Sequence, residues 1–394
     1  MRERAKAIAI AAPAAAVASD VAAATGVRGQ RLHFVDLLRL IACLQMVLGH
    51  TIDALLAEEL RAGPAFERWS WCRGLTSVAF LFAAGVSYHV STLARFGEHR
   101  ADRGKVLRRF RRAAWLVALG YMLHFPAAIF GDDPSAAARA LHAFAMVDVL
   151  HCIGLSIAAL ELMTLLAKSA RQVVVASALL AALAFALAPL GERLDPSGAW
   201  RPLVNYVTHR GGSLFPVLPW CGYLLAGTAA GALALPNGTR TPAHVPLPRL
   251  AALTAIVLAV SAAADLAPFS LVIEPASHNA RPAFNLLKLG IVLAIVTLLA
   301  ALGRRIARLP RSLQILAGES LIVYVAHLLV LYGAGVGLSS TIGHTLSLPL
   351  AIAAGFAMAL LMAFVGLGWF RLKAWRKAHR ARAETGMAPR TLAP

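Results

Sequence analysis

Long apolar runs dominate the chain, and they limit what it can fold into. Many of them reach 18 residues or more, the length that a helix needs to span about 30 Å of hydrocarbon. Hydrophobic residues make up 59% of the 394 residues and charged residues only 14%, whereas a soluble domain of this size carries roughly a quarter of charged residues. The sequence therefore predicts an all-α integral membrane protein.

Ten apolar segments are expected to form a single bundle of transmembrane helices. They cover residues 35–57, 75–94, 113–131, 146–167, 172–190, 214–235, 250–268, 286–303, 313–332 and 348–370. Because ten is even, both termini lie on one side. We expect a disordered Ala-rich tail at residues 1–33, a membrane domain at 34–372 and a basic tail at 373–394. The sixth segment contains a GxxxG motif at residues 227–231, which permits close helix packing.

The positive charge of the chain follows the predicted loops. The formal net charge is +19, which in a soluble protein would suggest nucleic-acid binding. Here 27 of the 38 Lys and Arg residues fall in segments on the side of the N-terminus, and 8 fall in loops on the other side. Because cytoplasmic loops are enriched in Lys and Arg, this distribution predicts both termini in the cytoplasm. It also favours membrane lipids over nucleic acid as partners.

The first apolar segment carries ionisable residues at helical spacing. Arg39 and His50 are eleven residues apart, so they share one helix face about 16 Å apart along the axis, and Asp36 joins that face. Ionisable groups inside a span are costly and usually functional. His50 could act as a general base or as an acyl-accepting nucleophile. Packing by His50, and anchoring of the helix end by the Asp36–Arg39 pair, are the structural alternatives.

Two later segments carry further polar side chains. Ser320, Tyr324 and His327 are spaced four and three residues apart, and their stripe would either line a cavity or bond one helix to another. Asp148 and His151 form an i,i+3 pair. That pair would act as an acid–base dyad or lie at the outer interface in a structural role.

Two basic features complete the set of candidate residues. The cluster at residues 105–112, which includes Arg109 and Arg112, would contact anionic lipid or form an electropositive mouth for a phosphorylated cofactor. Lys288 lies near the start of the eighth segment, and we interpret it as a side chain that extends to the membrane interface.

The order and spacing of these motifs resemble those of transmembrane acyltransferases. The first segment shows Arg31, then Asp36-x-x-Arg39, then ten residues and His50. The second segment ends in a Gly-x-Ser element at residues 85–87, and the basic cluster follows it. The neighbouring acyltransferase-three family of polysaccharide O-acylases shares the first of these motifs.

Three later stretches narrow the resemblance to the catalytic domain of heparan-α-glucosaminide N-acetyltransferase and its bacterial relatives. They read VLHCIG at residues 149–154, FPVLPWCGY at 215–223 and GESLIVYVAH at 318–327. The resemblance covers about residues 31–335. It implies a membrane-embedded enzyme that moves an acetyl group from cytoplasmic acetyl-CoA, without a metal, to an extracytoplasmic sugar or amino sugar.

The resemblance also gives expected roles to residues. His50 is the expected base or acyl carrier, with Asp36 beside it in the catalytic group. The expected acetyl-CoA ligands are Arg39, Arg109 and Arg112. The residues expected to line the acceptor side or to support His50 are Asp148, His151, Trp220, Ser320, Tyr324 and His327.

Two other functions stay open from the sequence. A glycan O-acylase would use hydroxyl acceptors instead of an amine. A transporter of a small polar metabolite would use His50 and His327 as proton relays, although transporters often show inverted repeats and this sequence shows none. The expected location is a bacterial inner membrane, and the family resemblance leaves a homodimer open.

Overall fold

A computed structural model of the protein describes residues 32–125, 127–234, 246–266, 278–306, 309–333 and 336–384. The described residues form helices and connections, without a β-strand among them. Arg31 of the predicted first motif, most of the predicted N-terminal tail and residues 385–394 lie outside the described residues.

Helices occupy each of the ten predicted apolar segments. The main ones are α1 His33–Leu55, α2 Pro64–Ser91, α3 Arg103–Leu123, α4 Val149–Leu166, α5 Ala170–Gly191, α6 Val217–Ala234, α7 Leu247–Leu266, α8 Pro282–Gly303, α9 Arg311–Gly318, α10 Ser320–Tyr332 and α11 Leu348–Glu384. Short helices in the connections are Phe96–Ala101, Pro134–Phe144, Arg201–Val204 and Leu338–Ile342. Single 3₁₀ turns are Glu58–Leu60, Leu93–Arg95, Ala127–Phe130, Gly198–Trp200 and His278–Ala280.

Fewer helices than the ten predicted from the sequence are long and apolar enough to cross a membrane. Among the described residues, seven helices are long and apolar enough to span a membrane, and the pair α9–α10, bent by 69°, makes an eighth candidate. Helix α6 is apolar but shorter, and α3 begins with the basic cluster. The protein is thus an all-helical integral membrane protein, while ten crossings and cytoplasmic termini stay predictions.

Local sequence signals set several helix starts. Asp102 caps α3 by accepting the backbone N–H of Lys105 at 3.0 Å, and Ser169 caps α5 in the same way. Helices α2 and α8 both begin with a proline, whose missing N–H has no helical partner to lose at that position. At α4, Asp148 and His151 form a capping box.

Glycines allow α2 and α6 to pack backbone against backbone. A Cβ at Gly85 would lie 1.9 Å from the Leu224 carbonyl oxygen, and one at Gly227 would lie 2.1 Å from the Phe82 carbonyl oxygen. Small residues permit such close approach between membrane helices. The GxxxG motif of α6 therefore supplies part of a tight interface with α2.

Helix α1 is the central helix of the site. It contacts α2, α8, α10 and α11. It runs antiparallel to α2, because Arg39 pairs with Ser87 near one end and Gly49 faces Arg73 near the other. One straight helix thus carries polar groups to both ends of the molecule.

We predict opposite effects of Gly→Ala substitutions at two positions of α2. At Gly74 no atom lies within 4 Å of the new Cβ, so alanine should stabilise the helix by up to about 1 kcal/mol. At Gly85 the Cβ would overlap the α6 backbone, so alanine should force the helices apart and cost about 1–3 kcal/mol. Thermal unfolding of the purified variants measures both, and an unchanged melting temperature for Gly85→Ala would contradict the tight α2–α6 interface.

Candidate active site

A cavity of about 1250 Å³ lies among α1, α2, α3, α4, α6, α8 and α10. Its lining on α1 runs from Arg39 to Asp53, fourteen positions or about 21 Å of helix axis. That length is about two thirds of a 30 Å hydrocarbon core. The cavity therefore connects polar groups that lie far apart along the helices.

Basic side chains collect at one end of this cavity. Arg39, Arg109 and Arg112 line it. The Nη2 of Arg109 donates to Thr92 Oγ1 at 2.6 Å and to Ser91 Oγ at 3.1 Å, which fixes the direction of its guanidinium. Because guanidinium groups stay protonated, this end presents a permanent positive charge suited to anionic oxygens.

A buried carboxylate stands behind Arg109. The Arg109 guanidinium lies over the ring of Tyr88, 5.3 Å from its centroid. The Tyr88 hydroxyl donates to Glu161 Oε2 at 2.9 Å, and His99 Nε2 lies 2.5 Å from Glu161 Oε1. Glu161 is fully buried. Sequence reasoning missed this cluster, although a glutamate inside an apolar segment was the available signal.

Two histidines meet at the other end. The Nδ1 atom of His50 lies 2.7 Å from Nε2 of His327, and the two rings are stacked with centroids 5.1 Å apart. His50 lines the cavity, whereas His327 is fully buried behind it. The Nδ1 atom of His327 lies 2.9 Å from the carbonyl oxygen of Val323.

For two neutral rings, these contacts determine which nitrogen of each ring carries the proton. A carbonyl oxygen accepts only, so His327 must carry its proton on Nδ1 and donate it to Val323. In the neutral ring, Nε2 of His327 is then an acceptor, and His50 donates from its own Nδ1. This leaves Nε2 of His50 with a lone pair, which is the form that a general base or nucleophile needs.

Tyr324 and Asp148 form a second pair beside the histidines. The Tyr324 hydroxyl lies 3.0 and 2.9 Å from the two carboxylate oxygens of Asp148. Both residues line the cavity, as does Ser320 on the same helix as Tyr324. The three polar residues of α10 therefore have different partners. Ser320 and Tyr324 line the cavity, whereas His327 contacts His50.

Three residues predicted for the site have positions away from the cavity wall or behind it. The residues that line the cavity do not include Asp36, His151 or His327. Asp36 is buried one turn before Arg39. His151 accepts the Asp148 backbone N–H at 3.0 Å through Nδ1, which makes it a capping residue of α4. The catalytic role of Asp36 stays a prediction.

Trp220 lines the cavity, and its indole N–H is bound by a histidine. Its Nε1 donates to His209 Nε2 at 3.2 Å, and His209 Nδ1 lies 2.8 Å from Glu192 Oε1. Burial opposes ionisation of Glu192, but the hydrogen bonds from His209 outweigh it and lower the pKa of that carboxyl. An ionised Glu192 keeps the proton of His209 on Nδ1, so Nε2 remains an acceptor for Trp220.

An ion pair beside His50 escaped the sequence analysis. Asp53 lies one turn after His50, and Arg73 Nη1 lies 2.9 Å from its Oδ2. Both line the cavity. The i,i+3 spacing of His50 and Asp53 was the signal that could have found the first residue. Arg73 is 23 positions away from His50, and no local spacing pointed to it.

The described part of the chain offers no group of three His, Cys, Asp or Glu residues placed to hold a metal ion.

Apolar helices surround a long cavity that has a histidine pair at one end and arginines at the other. These features define the class of polytopic membrane proteins with an internal cavity. Residues 31–265, well over half of the chain, match the catalytic domain of heparan-alpha-glucosaminide N-acetyltransferase. The chain belongs to this family of membrane acetyltransferases, which confirms the resemblance inferred from the motifs. The comparison with curated proteins finds no match. His327 and Lys288 lie beyond the matched residues.

We predict that Tyr324→Phe destabilises the protein by about 1–3 kcal/mol, because it removes a hydroxyl that both oxygens of buried Asp148 accept from. Tyr332→Phe on the same helix is the matched control, since the Tyr332 hydroxyl makes only a long 3.4 Å contact to a backbone oxygen. Melting temperatures of the two purified variants test this. Equal values would mean that the Tyr324–Asp148 contact contributes nothing to stability.

Proposed function

We propose that the protein transfers an acetyl group from acetyl-CoA, which enters from the cytoplasmic side, to a sugar or amino sugar on the opposite side of the membrane. The observation that carries this proposal is the continuous cavity, which is lined by arginines at one end and by His50 at the other. A membrane acetyltransferase needs such a passage, because its donor and its acceptor arrive from different sides.

The arginine end fits the donor. Nucleotide phosphates bind best to guanidinium groups, which match their geometry with paired hydrogen bonds. Arg39, Arg109 and Arg112 supply these groups at one mouth of the cavity. The wall between this mouth and His50 is largely apolar, with Phe80 and Ile153 among its residues, and would suit the acyl-pantetheine arm.

At the histidine end we assign proton transfer to His50. Its Nε2 lone pair takes the proton of the acceptor amine or hydroxyl while the acceptor atom bonds to the acetyl carbonyl carbon. The carbon–sulfur bond breaks, and His50 returns the proton to the leaving thiolate of CoA. His327 orients the ring through Nδ1, as a second histidine held by a backbone carbonyl. Asp148 and Ser320 are proposed to contact the acceptor directly.

We further propose ten membrane crossings with both termini in the cytoplasm of a bacterial inner membrane. The distribution of Lys and Arg supports this orientation. It puts Arg39 near the cytoplasmic surface and His50 in the outer half of α1. In α3 the basic first half would then lie at the cytoplasmic surface and the apolar second half within the membrane.

Substitutions of His50 and His327 test both the acetyl transfer and the role of His50 as the base. The assay uses inside-out vesicles that contain the protein, with labelled acetyl-CoA outside and amino-sugar or neutral sugar acceptors in the lumen. We expect acetylated acceptor from the wild type and a loss of about 10²–10⁴-fold for His50→Ala. His327→Leu should lose more activity than His327→Gln, because a glutamine can still accept from His50 Nδ1.

His379→Ala is the control, since His379 is exposed on α11. Folded His50→Ala with full activity would remove His50 from the mechanism. Labelled acetyl that stays on the protein without acceptor would make His50 an acyl carrier instead of a base. Transfer confined to hydroxyl acceptors would favour the O-acylase. Proton-coupled uptake of the sugar without acetyl transfer would favour the transporter.

An arginine test separates the phosphate contacts from the rest of the donor site. Arg109→Gln should raise the KM for acetyl-CoA about tenfold or more, because it removes a charged hydrogen-bond donor at the proposed phosphate end. It should leave the KM for S-acetyl-pantetheine, which has no nucleotide phosphates, unchanged. Arg171→Gln, at the exposed start of α5, is the control. Equal effects on both donors would place Arg109 outside the phosphate site.

A further inference from the structure

Lys288 and Glu161 are both charged side chains buried inside apolar helices. Lys288 on α8 is only 3% exposed, and its Nζ donates to Asn279 Oδ1 at 2.7 Å. It therefore points into the protein instead of extending to the membrane interface as its position in the sequence suggested. Glu161 on α4 is fully buried, and a chain of contacts joins it to the arginine end of the cavity.

The depth of Glu161 follows from its position on α4. It lies thirteen positions after Asp148, which is about 20 Å further along the helix axis. Asp148 lies beside the histidine pair, so Glu161 lies toward the other end of the cavity. It is not among the residues that line the cavity. A buried carboxylate is costly unless it is paired and hydrogen-bonded, and inside an apolar segment it indicates a functional role.

Both oxygens of Glu161 have partners on other helices. The Tyr88 hydroxyl of α2 donates to Oε2 at 2.9 Å, and His99 Nε2 lies 2.5 Å from Oε1. The Tyr88 oxygen also lies 2.9 Å from Oγ1 of Thr164, which follows Glu161 by three positions on α4. Because an aromatic ring is rigid, holding the hydroxyl from α4 also holds the ring of Tyr88 in place.

Tyr88 in turn supports Arg109. The Arg109 guanidinium lies 5.3 Å from the centroid of the Tyr88 ring, within the range in which a ring attracts a cation. Its Nη2 donates to Ser91 and Thr92. Tyr88, Ser91 and Thr92 are spaced three and four residues apart at the end of α2, so they share one helix face. Three residues of one helical turn therefore hold the guanidinium.

Glu161 reaches Arg109 only through this chain. The ion pairs formed by the described residues do not join Glu161 to Arg109. The hydrogen bonds that Arg109 makes with described residues all come from Nη2. A guanidinium has five N–H donors, so Nε and Nη1 stay available to an anionic oxygen in the cavity.

We propose that Glu161 is a positioning residue of the donor site. Through Tyr88 it holds the Arg109 guanidinium in the direction in which its available N–H groups bind a phosphate of the donor, and His99 holds the second carboxylate oxygen. This inference rests on the proposed function. It adds a buried residue that sets the affinity for the donor without contacting the donor.

The test compares two donors with purified full-length protein and a glucosamine acceptor. Acetyl-CoA carries nucleotide phosphates, and S-acetyl-pantetheine carries none. In Glu161→Leu and in Tyr88→Phe we expect the KM for acetyl-CoA to rise about fivefold or more. The turnover number and the KM for S-acetyl-pantetheine should stay at the wild-type values. Glu161→Gln should rescue much of the loss, because its amide oxygen can still accept from Tyr88.

A double-mutant cycle shows whether Glu161 acts through Arg109. Arg109→Gln removes the guanidinium that Glu161 is proposed to position. Adding Glu161→Leu to this variant should therefore raise the KM for acetyl-CoA by less than about twofold more. General damage to the fold would instead have the same effect in both backgrounds. Where Glu161→Leu does not fold, Tyr88→Phe is the smaller change and replaces it in the cycle.

Tyr223→Phe on α6 is the matched control. The Tyr223 hydroxyl is also buried and donates to Asn285 Oδ1 at 2.6 Å. Its loss should lower stability as the loss of a buried hydrogen bond does, but the ratio of the two KM values should match the wild type. Calorimetry with CoA, and with pantetheine as the phosphate-free reference, measures the same preference without catalysis. Tyr88→Phe should weaken the binding of CoA about fivefold, and Tyr223→Phe should not.

The outcomes distinguish this inference from the proposed function. Equal rises in KM for both donors, or a full additional rise in the double variant, would overturn the positioning role and leave the acetyltransferase intact. Weaker CoA binding in Tyr88→Phe alone, in a protein that transfers no acetyl group, would support the positioning role and overturn the proposed function. Equal affinity of the wild type for CoA and pantetheine would overturn the phosphate site and this inference together.

Discussion

The contact between His50 and His327 is the interaction on which the rest of the site depends. In a membrane interior, water does not replace a missing hydrogen bond, so each polar group must find a partner within the protein. Here the partners form a chain that begins at the Val323 carbonyl, continues through His327 and ends at His50. Because the carbonyl can only accept, the chain has one direction. The lone pair at its end belongs to His50, which lines the cavity.

The length of the cavity follows from the helices that carry its polar groups. Helix α1 supplies both Arg39 and His50, so the two ends of the cavity are held at a fixed separation by one rigid element. The chain breaks by 69° between α9 and α10, and this break brings Ser320 to the wall. Lys373 from α11 contacts both oxygens of Glu319 at the break, at 2.5 and 2.7 Å. That ion pair neutralises the glutamate where the backbone turns.

Much of the helical layout could be predicted from the sequence, because apolar length and helix caps are local properties. The pairing of the candidate residues could not. Tyr324 and Asp148 are 176 positions apart and His50 and His327 are 277 apart, so spacing says which face each occupies but not which helix it meets. The bend at Glu319 and the burial of Lys288 depend on α11 and α8 packing against the site. The i,i+3 spacing of Asp148 and His151 predicted a dyad or an interface pair; the structure adds that His151 caps the helix, and a role of the pair at the acceptor side stays a prediction.

The charges at the histidine end also bear on how an acceptor is held there. The histidine pair is neutral in the arrangement described here, so it adds no charge to this end of the cavity. Asp148 lines the cavity, and both of its oxygens lie within hydrogen-bond distance of the Tyr324 hydroxyl. In the proposed reaction, the remaining lone pairs of this carboxylate would accept from an N–H or O–H of the acceptor. Asp148 would then orient the acceptor while His50 receives the proton that the attack releases.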